Sequence, residues 1–130
     1  MLVYLLLATL TYTLTPITIL ATNDIHGKLF SDTKKFPNHS LKIGGLSLFA
    51  SYLKVLRKTE ENLLWLDAGD QYTGTLESQF FKGKPMSEAF NYLKLDIAAP
   101  GNHDFDFGLQ SYEKSLERQQ YVTLFANISP

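Results

Sequence analysis

The chain has 130 residues, 45% hydrophobic and 13% aromatic, which is enough for one domain with a core and unlike a disordered composition. Its 12 basic and 13 acidic residues leave a formal charge of −1, so no basic surplus exists for nucleic acid or an anionic membrane. It has no cysteine, which excludes disulfides, thiolate metal sites and cysteine nucleophiles.

No charged side chain precedes Asp24. The opening MLVYLLLATL reads as the apolar region of a signal peptide, expected over residues 1–15, with a secreted or extracytoplasmic location to match. An uncleaved apolar first strand or helix is the alternative, because no Lys or Arg precedes the run. Spanning a bilayer takes ~20 predominantly apolar residues. Pro16 and a crowd of threonines interrupt this run, so membrane contact is expected only through it. Residues 16–130 are read as one domain.

ITILAT, residues 17–22, is a β-branched apolar run that predicts a buried strand. HGKLFSDTKKFPNHSLKIGG reads as a polar loop. Leu46, Phe49, Ala50, Leu53 and Leu56 then follow helical spacing from Gly45 to about Lys58. NLLWLDAGD predicts a second strand ending in Asp-Ala-Gly-Asp. KPMSEAFNYLK predicts a helix with Pro85 in its first turn and Met86, Ala89, Phe90 and Leu93 on one face. LDIAAPGNHD is a third strand and turn. LQSYEKSLERQQ is a third helix, with Leu109, Tyr112 and Leu116 on one face, and YVTLFANIS is a fourth strand. Strands alternating with helices argue for an α/β fold with a largely parallel sheet. Ligands in such sheets bind beyond the carboxyl ends of the strands.

Those ends are loaded with one kind of chemistry. The first strand runs into NDIHG, the second into DAGDQYTG and the third into GNHDFDFG. Asp24 and His26, two apart on extended backbone, are expected to point to one face. Alone, Asp-x-His reads better as an Asx turn followed by a surface histidine, and Gly69-Asp70 as an ordinary glycine turn. GNHD alone divides evenly between a ligand set and a hydrogen-bonded turn. Turn chemistry does not select histidine twice, so the three together point to a site. Carboxylate, imidazole and amide oxygen without sulfur suit Mn, Zn, Fe or Co better than Mg. Two such ions ~3.5–4 Å apart serve in-line displacement at phosphorus. Elsewhere the readings are plain. Trp65 belongs to the core, and His39, Lys34, Lys35, Arg57 and Lys58 face solvent. Gly44-Gly45 reads as the flexible lead-in to a helix rather than an anion cradle.

ATNDIHG, DAGD and GNHDFDFG resemble the first three signature blocks of the calcineurin-like metallophosphoesterases. The TNDIHG and GNHDFD forms, with FANI further on, are similar to the 5′-nucleotidase branch. The resemblance covers residues 17–130 and implies half of an αββα sandwich. It implies two divalent ions, of Mn, Zn, Co or Fe, and a nucleotide or other phosphoester substrate. Asp24 and His26 would bind the first ion, Asp70 would bridge both, and Asn102 would give its amide oxygen to the second. His103 would face the phosphate as general acid or transition-state stabiliser, with Asp106 orienting it. Asp67 and Asp104 are read as outer groups that fix turn geometry. A downstream histidine and a Gly-His-x-His block complete the ions in that family, and these 130 residues contain neither.

The expected function is therefore metal-dependent phosphoester hydrolysis of the 5′-nucleotidase type, carried by the N-terminal portion of the domain. The alternative is a non-catalytic fragment, or a module that binds metal or nucleotide weakly. A third reading, an aspartyl-phosphate formed on Asp24, lacks the Asp-x-Asp pair such nucleophiles need, because His26 stands in the second place.

Overall fold

The computed structural model describes residues 14–127. The segment read as a signal peptide thus lies, apart from Leu14 and Thr15, outside the described residues. In chain order the elements are β1 (Thr18–Thr22), β2 (Asp32–Phe36), β3 (His39–Ile43), α1 (Leu46–Thr59), β4 (Leu63–Asp67), α2 (Leu76–Phe80), α3 (Lys84–Leu93), β5 (Ile97–Ala98), a 3-10 turn (Asn102–Phe105), α4 (Leu109–Arg118) and β6 (Val122–Thr123). Among the described residues no helix is long and apolar enough to cross a membrane.

Strands β1, β4, β5 and β6 form one parallel sheet in that order. Thr22 pairs with Asp67, Asp67 with Ala98, and Ala98 with Thr123. The carboxyl ends of the strands are therefore flush, and the loops that follow them meet at one edge. This is the α/β architecture expected from the alternating pattern.

The covered face of the sheet is built on Trp65, which is fully buried. Its ring lies 4.9 Å from that of Phe49 on α1 and 5.9 Å from that of Phe90 on α3. Leu46 and Leu53 of α1 and Met86 of α3 complete this layer. Burying a side chain of this size contributes about 1.5–3 kcal/mol, so the helical stripes decide how α1 and α3 dock. On the opposite face Ile19 and Val122 stay more than half exposed, and none of the β1 residues is fully buried, so this strand is not the buried one its apolar run predicts: that face of it has nothing packed over it among the described residues.

Other readings need correction. The polar loop holds an antiparallel hairpin, β2 with β3, reversed at Pro37-Asn38. All ten of its strand residues are exposed, so no alternation of apolar and polar positions marked it. The short helix α2 went unread because one turn carries no periodicity; Thr75 caps it by accepting the Ser78 N–H. On α4, Tyr112 and Leu116 turn inward but Leu109 is exposed, and Ser115 takes a buried place on that face. The fourth strand shrinks to two residues, with its last positions outside the described range.

Candidate metal centre

Asp24 and His26 follow β1, and Asp70 follows β4. One ligand atom from each lies within 4.8 Å of the other two. His26 Nε2 is 3.7 Å from Asp24 Oδ1 and 3.9 Å from Asp70 Oδ2. His26 Nδ1 lies 3.1 Å from the Thr73 carbonyl. A carbonyl only accepts, so Nδ1 carries the proton and Nε2 offers its lone pair toward the two carboxylates. The Asn23 amide donates to Asp24 Oδ2, which leaves Oδ1 on the His26 side.

The backbone that does this is not extended, as the i, i+2 argument assumed. Asp24 has φ 52°, His26 φ 49° and Asp70 φ 58°. All three are left-handed, a region non-glycine residues enter at a cost of order 1 kcal/mol and keep only where neighbours enforce it. The enforcement is visible as a ladder between the two loops. Asp24 N–H donates to Gly69 O at 3.0 Å, His26 N–H to Asp70 O at 2.9 Å and Gly27 N–H to Gln71 O at 2.9 Å.

The third loop is locked to the second by Asp104, which is buried. Its carboxylate accepts N–H groups from Asp70 (2.9 Å), Gln71 (2.6 Å), Tyr72 (3.2 Å) and Gly101 (2.9 Å). In return Asp70 Oδ1 accepts the His103 N–H at 2.9 Å. Burial raises the Asp104 carboxyl above its usual 3.8, and the four N–H groups offset only part of that rise. The loops touch so closely that a Cβ on Gly69 would stand 2.1 Å from Gly101 N. One on Gly101 would stand 2.1 Å from Asp70 Oδ1. Asp67 is buried too and accepts from Thr22 Oγ1 (2.6 Å), Gly69 N (3.0 Å) and Gln71 Nε2 (2.7 Å). Burial raises its carboxyl against those bonds.

His103 stands beside this cluster, its ring edge-on to that of His26 with centroids 5.4 Å apart. Its Nδ1 lies 2.9 Å from Asp106 Oδ2, both side chains being about half exposed. The Asp106 hydrogen bond, then its charge, raises the His103 imidazole above its ordinary 6.5. Asn102 opens the 3-10 turn, exposed, and lines a hollow with Pro100, Phe105 and Leu124. Asp24 lines a different cavity of about 610 Å³ with Lys28, Phe49 and Tyr52.

Sequence reasoning missed Gln71 and Tyr121, buried residues joined to the back of the site. A buried polar side chain leaves no periodic signal; the one cue was that Gln71 adjoins Asp70. Gly44-Gly45 forms no anion cradle, since the Leu46 and Ser47 N–H groups already donate to the Lys28 and Leu29 carbonyls. Trp65 lies in the core. Exposed His39 stacks on Phe36 at 4.8 Å, and Arg57, exposed as expected, also donates to the Lys94 carbonyl at 2.7 Å.

Mouse 5′-nucleotidase is 40% identical over 116 residues, covering 86% of this chain and 20% of the mouse protein. The structure of Haemophilus influenzae NAD nucleotidase superposes with a TM-score of 0.77 at 34% identity, covering 88% of this chain and 21% of that one. A 5′-nucleotidase precursor from Thermus thermophilus gives a TM-score of 0.79 at 26% identity, covering 87% and 22%. The chain thus spans about a fifth of the length of the curated relatives it matches. A family model described as calcineurin-like phosphoesterase matches residues 17–129, and the chain belongs to that family.

Proposed function

We propose that this chain carries the first part of the catalytic site of a metal-dependent phosphoester hydrolase that acts on nucleotides, in the manner of a 5′-nucleotidase. The observation that carries this reading is the convergence of Asp24, His26 and Asp70 with the His26 lone pair already aimed. Three oxygen and nitrogen donors at such spacing fit a divalent ion of the Mn, Zn, Co or Fe type. Asp24 and His26 would hold it, Asp70 would be shared with a second ion, and Asn102 would serve that second ion. Ions bound there supply Lewis acidity, lowering the pKa of water and neutralising charge on phosphoryl oxygens.

The remaining work belongs to the chain's own residues. His103 faces the phosphate. Asp106 holds its Nδ1 proton, so a protonated ring presents Nε2–H for donation to a phosphoryl or leaving oxygen. Asp104 and Asp67 keep the loops at fixed spacing, so the developing charge meets groups already in place.

The non-catalytic reading has one observation in its favour: among the described residues only Asp24, His26 and Asp70 form an acid–histidine cluster. A chimera separates the two. Residues 17–127 replace the aligned segment of mouse 5′-nucleotidase, and phosphate release from AMP is followed with Mn²⁺ or Zn²⁺. Turnover that disappears with Asp70→Ala supports hydrolysis. A folded, metal-loaded chimera with no turnover supports the non-catalytic reading.

A further inference from the structure

The loop that carries Asp70 is held from behind by buried and half-buried polar groups that touch none of the candidate ligand atoms. Gln71, 2% exposed, is pinned at four points. Its N–H donates to Asp104 Oδ1 at 2.6 Å, its carbonyl accepts the Gly27 N–H at 2.9 Å, and its Nε2 donates to Asp67 Oδ1 at 2.7 Å. Its Oε1 accepts the Tyr121 hydroxyl at 3.4 Å.

Thr123 Oγ1 donates to Gln119 Oε1 at 2.6 Å, and Gln119 Nε2 donates to the Tyr72 hydroxyl at 2.7 Å. The Tyr72 and Tyr121 hydroxyls share a hydrogen bond at 3.2 Å. From the other side Trp65 Nε1 donates to Thr22 Oγ1 at 2.8 Å, and Thr22 donates to Asp67 Oδ2 at 2.6 Å. Two chains of hydrogen bonds therefore converge on the Asp67 carboxylate, and every partner of Asp67 is a donor. Turning the Gln71 amide over would set its oxygen against Asp67 and its NH₂ against a hydroxyl that must then reverse. The Asp67 carboxylate, which only accepts, thus sets the orientation of the Gln71 amide and turns its oxygen to Tyr121.

Asp70 precedes Gln71 directly and keeps φ 58°. We propose that Gln71 is a positioning residue of the candidate metal centre: its side chain, held between Asp67 and Tyr121, keeps Asp70 left-handed and so sets the reach of the Asp70 carboxylate toward Asp24 and His26. The proposal rests on the metal-centre reading for its consequence, but its backbone claim stands on the metal-free protein. Gln71 acts through Asp70 and touches no ligand atom of its own.

The test uses the full chain with Gln71→Met, Tyr121→Phe and the double variant. Hydrogen exchange is measured without metal, and Mn²⁺ binding by calorimetry. In Gln71→Met the His26 and Gly27 amides, which donate to the Asp70 and Gln71 carbonyls, are expected to exchange about three- to tenfold faster, the worth of roughly one net hydrogen bond. Amides of the β1–β4 ladder and of α1 stay unchanged. Mn²⁺ affinity falls by a similar factor. Tyr121→Phe gives a smaller change at the same amides, and adding it to Gln71→Met changes nothing further, because Tyr121 acts through Gln71. Unchanged exchange at His26 and Gly27, or equal acceleration throughout the sheet, overturns the proposal. If Gln71→Met does not fold, Tyr121→Phe alone decides by the same amides. If the unaltered chain binds no Mn²⁺, the metal reading fails while exchange still decides the role of Gln71.

Discussion

Asp70 and Asp104 hold their loops together by exchange: Asp104 Oδ2 accepts the Asp70 N–H, and Asp70 Oδ1 accepts the N–H of His103, the neighbour of Asp104. Asp104 also gathers the Gln71, Tyr72 and Gly101 N–H groups. Removing its carboxylate leaves buried donors without partners. Asp104→Ala is expected to lower stability by about 3 kcal/mol or more, measured by urea unfolding. A loss under about 0.5 kcal/mol, the range of an ordinary surface change, would show that the clamp is incidental.

Asp70 is also the member of the cluster that links two loops. Calorimetry with Mn²⁺ or Zn²⁺ should show weak binding to the chain that Asp70→Ala abolishes. His26→Ala should abolish it too, since Nε2 is aimed between the carboxylates. Binding that survives Asp70→Ala unchanged would remove Asp70 from the ligand set.

The His103–Asp106 pair predicts a pH dependence with a definite sign. The folded imidazole is raised above 6.5 by Asp106. The stabilisation from the charged pair is therefore fully present below about 6.5 and is lost as pH rises through the folded value. In Asp106→Asn the titration midpoint of His103, followed by NMR, should fall back toward 6.5. An unmoved midpoint would show that Asp106 does not hold the proton.

In the chimera described above, His103→Ala should cut turnover by roughly 10²–10⁴-fold, the usual contribution of a positioned acid–base group. Metal content should stay near normal. Asp106→Asn should lose activity in the same direction. Metal loss in His103→Ala would instead make His103 a ligand.

The chain by itself should hydrolyse AMP at a negligible rate. A single Zn²⁺ commonly takes about three or four protein ligands, and Asp24, His26, Asp70 and Asn102 are too few for two ions. Phosphate release with Mn²⁺, Co²⁺ or Zn²⁺ checks this. Robust turnover abolished by Asp70→Ala would mean that a second copy or an unassigned residue completes the centre.

Much of this molecule was legible in the order of its residues. The runs ITILAT and LLWLD mark strands because β-branched and aromatic side chains suit a pleated surface, and the stripes on α1 and α3 match their 3.6-residue period. Alternation then makes the sheet parallel, and a parallel sheet puts Asp24, Asp70 and His103 at one edge. The exposed hairpin β2–β3 and the single turn of α2 escaped, because neither has a buried face to write a period into the sequence. The left-handed backbone at Asp24, His26 and Asp70 escaped for another reason. Local preference opposes it, and it exists only through hydrogen bonds between loops far apart in the chain. Residue identity therefore determined which donors reach the sheet edge. The distances between them were decided by tertiary contacts, through Asp104, Asp67 and Gln71, whose buried polar bonds have no counterpart in any short stretch of sequence.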